Sequence, residues 1–125
     1  MKKIVTALAL AFGLSACGVG EKTPEEEAEI QRQQGVRYAR CATTVATADT
    51  MGIKFDNVNL QEAFQDFYGR AQSKLSQKDV DAAMSWMDQS YVTRAAEGVV
   101  VQNAVRTNAG DCLDILLALQ KRDLH

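Results

Sequence analysis

The feature that most constrains this chain is a stripe of large apolar side chains near its middle. Residues 60–75 read LQEAFQDFYGRAQSKL, and their apolar members recur with the 3.6-residue period of an α-helix. Asn59 and Glu62 supply an N-cap and an acidic residue in the first turn, which is typical of a helix start. Aromatic residues at this spacing form a buried face far more often than a ligand groove. The predicted buried face consists of Leu60, Phe64, Phe67, Tyr68, Ala71 and Leu75.

A second helix is predicted upstream of this one. Thr23, Pro24 and Glu26 provide an N-cap, a favoured first residue and a capping box, and Gly52 suits the end of the helix. The segment up to Gln34 is almost wholly polar, so we expect a solvated stalk that frays. Farther along, the apolar positions share one helical face. That face contains Tyr38, Cys41, Ala42 and Val45.

The third predicted helix follows an N-cap pattern at Ser76 and Asp79, and Gly98 can end it. Its apolar face contains Val80, Met84, Met87, Tyr91 and Ala95. Trp86 lies roughly 100° from the centre of that face. The indole therefore either packs against the flank of a neighbouring helix or is partly exposed as a contact for a partner protein.

The last segment begins VVVQNAV, and these β-branched residues also suit a strand. One helical register nevertheless runs through it, which favours a single helix over about residues 99–121. Gly110 falls on the opposite face, where it weakens the helix by about 1 kcal/mol. The register contains Val101, Val105, Asn108, Ala109, Cys112, Leu116 and Leu119. Four helices with short connections predict an all-α fold, a small four-helix bundle, over residues 24–125.

The chain begins with the layout of a secretory signal peptide. Lys2 and Lys3 precede an uncharged apolar run over residues 4–14, and small residues follow. This run is too short for a membrane-spanning helix, which needs about 17–25 residues. Residues 14–17 read LSAC and are followed by Gly18. This stretch resembles the lipobox of bacterial lipoproteins.

The resemblance implies that residues 1–16 are removed and that Cys17 receives diacylglycerol and an N-acyl chain. Residues 17–23 would then form a lipid anchor and a flexible tether. Several acyl chains hold a protein stably at a membrane, because each buried methylene contributes about 0.8 kcal/mol. In lipoproteins of Gram-negative bacteria an aspartate at the position of Gly18 commonly causes retention at the inner membrane. The glycine therefore implies an outer-membrane protein that faces the periplasm.

Once Cys17 is consumed by the anchor, Cys41 and Cys112 remain as an even pair in an exported chain. Oxidising compartments favour pairing, and both residues lie on predicted apolar faces. We therefore predict a disulfide that joins the first and last helices. The alternative is two buried free thiols that pack as small hydrophobic side chains.

The sequence offers little support for catalysis, metal binding or nucleic-acid binding. His125 is the only histidine and lies at the end of the sequence, which does not favour a catalytic triad. A zinc site would need more cysteine or histidine ligands. Without Lys2 and Lys3 the chain carries 12 basic and 16 acidic side chains, a balance that does not favour a nucleic-acid partner. We predict no catalytic residues, no metal site and no cofactor.

These observations predict a non-enzymatic, lipid-anchored module of the bacterial envelope that binds a partner protein. Its general design looks similar to that of the pilotins of secretion systems, although no residue motif carries that family. The alternative function is a periplasmic protective protein, either a chaperone or an immunity protein against a toxin. Trp86 is the candidate contact for the partner, and Cys17 is the candidate contact with the membrane.

Overall fold

The computed structural model describes residues 23–124, and all regular structure within that range is α-helical. Helix α1 spans Pro24–Thr50, α2 spans Leu60–Gln72, α3 spans Gln77–Ala96 and α4 spans Val101–Asp123. The predicted four-helix bundle, with a disulfide between the first and last helices, is confirmed. None of these helices combines the length and the apolar character that crossing a membrane requires.

Helix α1 begins with the predicted capping box. The Thr23 hydroxyl accepts a hydrogen bond from the Glu26 backbone N–H, and the Glu26 carboxylate accepts one from the Thr23 backbone N–H, each at 3.0 Å. These bonds satisfy two backbone donors that a helix start otherwise leaves unpaired. The polar segment expected to fray is therefore helical, although its side chains are exposed as far as Glu29.

The buried face of α1 contains all four predicted residues and also Gly35. A Cβ atom at Gly35 would lie 2.6 Å from Cγ of Leu75. Real Cβ atoms do not approach a neighbour so closely, so the glycine allows the α2–α3 connection to lie against α1. Leu75 itself is half-buried and lies outside α2, which ends at Gln72 rather than continuing through Leu75 as expected.

Helix α2 places Phe67 at the centre of the core, where its side chain is fully buried. The Asn59 side chain caps the helix by accepting a hydrogen bond from the Glu62 backbone N–H at 3.0 Å. Phe64 and Tyr68 are half-buried at the edge of the same face, with ring centroids 5.5 Å apart. The predicted stripe is thus the inner face of α2, with the fully buried ring of Phe67 at its centre.

The predicted face of α3 is correct over most of the helix and wrong at its end. Val80 and Tyr91 are buried, and Met84 and Met87 are half-buried. Ala95 is exposed, as is every residue from 92 to 100. A helical period predicts which residues share a face, but burial also needs a neighbouring element opposite that face, and the last turn of α3 has none within the described residues.

Helix α4 is continuous, so the strand alternative for its first residues is excluded. Gly110 was expected on the side away from the core, and this expectation is wrong. Its backbone is half-buried, and a Cβ atom there would lie 3.8 Å from the ring of Phe55. The connection between α1 and α2 carries Phe55 and covers this side of α4.

Polar contacts tie the helices together around the core. The Thr43 hydroxyl of α1 donates to the Met84 carbonyl of α3 at 3.3 Å. Arg70 of α2 donates to Asp66 at 2.5 Å and to Asp123 of α4 at 2.7 Å. Partial burial opposes a rise in the pKa of Arg70, but the hydrogen bonds to Asp123 and Asp66 outweigh it, and the pKa is raised. The guanidinium therefore stays charged and links the ends of α2 and α4.

Candidate functional site

Trp86 is the most exposed aromatic contact residue that the structure offers. The indole projects from α3 with 55% of its surface exposed. The guanidinium carbon of Arg40, on α1, lies 3.9 Å from the centroid of the indole ring. This distance is well within the range of a cation–π interaction. Trp86 therefore contacts the flank of a neighbouring helix and still presents more than half of its surface to solvent.

Among residues 23–124, Arg40 also carries an unpaired buried donor. Its Nε atom is buried and has no hydrogen-bond partner within the described residues. A buried donor left unpaired costs about 1–3 kcal/mol, whereas a cation–π contact contributes about 0.5–2 kcal/mol. The two terms are of the same order of magnitude. We call these two residues the Trp86–Arg40 pair.

An open groove with a volume of about 530 Å³ lies beside the Trp86–Arg40 pair, between α1, α3 and α4. All three basic residues of α1 line it, and we call it the arginine groove. These residues are Arg32, Arg37 and Arg40. Met87 lines it from α3, and Asp111 is the only acidic residue in its lining. The lining is therefore mixed, with arginine side chains beside apolar and uncharged polar ones.

The predicted disulfide forms part of the groove wall. Cys41 and Cys112 are bonded, with their Cα atoms 5.7 Å apart, and the sulfurs join α1 directly to α4. The alternative of two free thiols is thereby excluded. Because the bond joins α1 to α4 where both helices line the groove, it fixes their separation at that point.

A buried tyrosine fixes two further polar groups in the groove lining. The Tyr91 hydroxyl lies 3.1 Å from the Thr44 hydroxyl, and Asn108 donates a hydrogen bond to it from Nδ2 at 3.0 Å. Tyr91 is only 4% exposed, so this three-residue network joins α1, α3 and α4 inside the protein. Thr44 and Asn108 both reach the groove. The buried hydroxyl of Tyr91 therefore fixes the orientation of both side chains.

The other predicted site residues are distributed as follows. Cys17, the candidate lipidation site, lies outside the described residues, as does His125. Between Thr23 and Leu124 there is no group of three or more histidine, cysteine or acidic side chains placed to hold a metal ion. Because Cys17 is outside the described residues, the membrane contact through it stays a prediction.

Sequence reasoning singled out Trp86 but missed Arg40 and the groove. Arg40 and Trp86 are 46 positions apart and lie on different predicted helices, so no local sequence pattern connects them. One signal was available, because every basic residue of α1 falls within a nine-residue stretch that ends beside Cys41. That clustering could have suggested a basic surface next to the disulfide.

No protein-family model matches this chain, and neither does any curated protein or solved structure.

Proposed function

We propose that this chain is a non-enzymatic, lipid-anchored protein of the bacterial envelope that binds a partner protein through the surface around the Trp86–Arg40 pair. The observation that carries the proposal is an indole that is 55% exposed and stacked on an arginine. Tryptophan and arginine are enriched among the few interface residues that carry most of the binding energy.

The stacking also favours binding through its effect on entropy. Immobilising a flexible side chain at an interface costs about 0.5–1.5 kcal/mol. Contact with Arg40 already restricts the indole of Trp86, so part of this cost is met in the free protein. A large, preordered aromatic side chain beside a concave groove is the arrangement that a protein-binding surface needs.

The envelope location in this proposal comes from the leader and its likeness to a lipobox. We expect Cys17→Ser to abolish acylation, so that the protein leaves the membrane fraction or keeps its leader. Intact-mass analysis of membrane-extracted protein should show loss of residues 1–16 and the added mass of acyl chains. A double Cys41→Ala, Cys112→Ala variant is the control and should stay in the membrane fraction. A mature protein with unmodified Cys17 would contradict the anchor.

We expect Trp86→Ala to weaken partner binding by roughly thirtyfold, because truncating a dominant interface residue costs about 2 kcal/mol or more. The measurement is crosslinking of the membrane-anchored protein in its native envelope, followed by identification of the partner and titration with the purified partner. Leu117→Ala is the matched control, since Leu117 is 63% exposed on α4 and does not line the arginine groove.

Two results would argue against this function. Equal binding by the Trp86→Ala and Leu117→Ala variants would remove the surface from the proposal. Crosslinking to many unrelated unfolded proteins, instead of one stoichiometric partner, would favour the chaperone alternative.

A further inference from the structure

We propose that the arginine groove binds a short acidic segment of the partner, with Asp or Glu carboxylates on Arg37 and Arg40. The inference rests on the proposed protein-binding function and specifies the chemistry that the partner presents. It adds a second contact region, distinct in character from the exposed indole of Trp86, and it makes charge the basis of recognition.

The sign of the local charge favours an acidic ligand. The whole chain carries a net charge of −2, and the removal of Lys2 and Lys3 makes it more negative. The groove has the opposite sign, since Arg37 and Arg40 line it and Asp111 is the one acidic residue among its described lining residues. A concave surface lined by one sign of charge concentrates its potential and attracts a ligand of the other sign. An acidic ligand is therefore the complementary one, even though the rest of the protein repels it.

The shape of the groove suits a short extended peptide. Arg32 and Arg40 are eight residues apart on one helix, which corresponds to about 12 Å along its axis. An extended peptide covers that length with about four residues at roughly 3.3 Å each. The groove is concave, with a volume of about 530 Å³, whereas a lipid bilayer presents a flat array of head groups. The shape therefore favours a peptide segment over a membrane surface.

The hydrogen-bonding groups of the lining match carboxylates. An arginine guanidinium presents a planar set of donors that matches a carboxylate, and such charge-assisted bonds are among the strongest in proteins. Stacking on Trp86 holds the guanidinium of Arg40 in one place, which reduces the ordering cost of binding. Asn108, oriented by Tyr91, adds an amide that can bond to a peptide backbone.

The test uses the mature lipidated protein, residues 17–125, in nonionic detergent micelles and a fluorescently labelled hexaglutamate peptide. Binding is followed by fluorescence anisotropy of the peptide, with labelled hexaglutamine as the neutral control. We expect saturable binding of hexaglutamate alone, weakened by added salt because exposed charges are screened. Arg37→Gln and Arg40→Gln should each weaken it at least about tenfold. Arg122→Gln removes the same charge at the end of α4, away from the groove, and should change it less than about twofold.

Three results would overturn the inference. The first is no saturable binding of hexaglutamate, and the second is an equal loss in the Arg122→Gln variant. The third concerns competition for the labelled peptide. If phosphatidylglycerol in the micelles displaces it at a lower concentration than unlabelled hexaglutamate does, the groove is assigned to lipid. If Trp86→Ala abolishes partner capture while hexaglutamate fails to bind, the groove assignment falls and the proposed function stands. If hexaglutamate binding depends on Arg37 and Arg40 but no partner is crosslinked, the groove assignment stands and the proposed function falls.

Discussion

Reduction of the Cys41–Cys112 disulfide is expected to lower the free energy of unfolding by about 4 kcal/mol. The bond closes a loop between residues 71 positions apart, and such a crosslink restricts the unfolded chain far more than the folded one. Small domains are stable by only about 5–15 kcal/mol in total. The disulfide therefore accounts for a large part of the stability of this bundle.

The measurement is thermal unfolding followed by circular dichroism, with and without reductant. For a domain of this size each kcal/mol shifts the midpoint by about 4–8 °C, so we expect a fall of roughly 15–30 °C on reduction. The Cys41→Ala, Cys112→Ala variant should unfold at the lower temperature and should not respond to reductant. A shift of only a few degrees in the wild type, or two free thiols in non-reducing peptide maps of protein from its native envelope, would contradict this prediction.

Phe67→Ala is expected to destabilise the protein by about 3–5 kcal/mol, since it removes a large buried ring and leaves a cavity. Phe67 is fully buried on α2, and its ring centroid lies 6.3 Å from that of Tyr38 on α1. Loss of the ring therefore removes contacts between two helices as well as apolar burial. Denaturant unfolding measures the change directly, through the midpoint at unchanged slope.

Phe64→Ala is the matched control for Phe67→Ala, because it makes the same chemical change one turn earlier on the same helix. Phe64 is half-buried and stacks on Tyr68, so solvent can relax into the space that its ring leaves. We expect it to cost less than half as much. Similar losses in the two variants would mean that Phe67 is not the centre of the core.

The helix starts were predictable because their chemistry is local. Glu26 is hydrogen-bonded to Thr23, and Glu62 to Asn59, each within one turn. Residues that are close in the sequence therefore suffice to predict these caps. The inner faces were largely predictable for a related reason, since the helical period alone decides which side chains point the same way. The disulfide was predictable from an even pair of cysteines on two such faces.

What the sequence by itself determined is therefore the set of helices, most of their inner faces and the bond between the first and the last. The tertiary structure decided where those faces end and which side chains meet from distant positions. Ala95 is exposed because no described element covers the last turn of α3, and Gly110 is covered because Phe55 reaches it from another connection. Arg40 meets Trp86 only because α1 and α3 pack side by side. Burial and charge pairing depend on which residue lies nearby in space. The local pattern that forms a helix does not predict that neighbour.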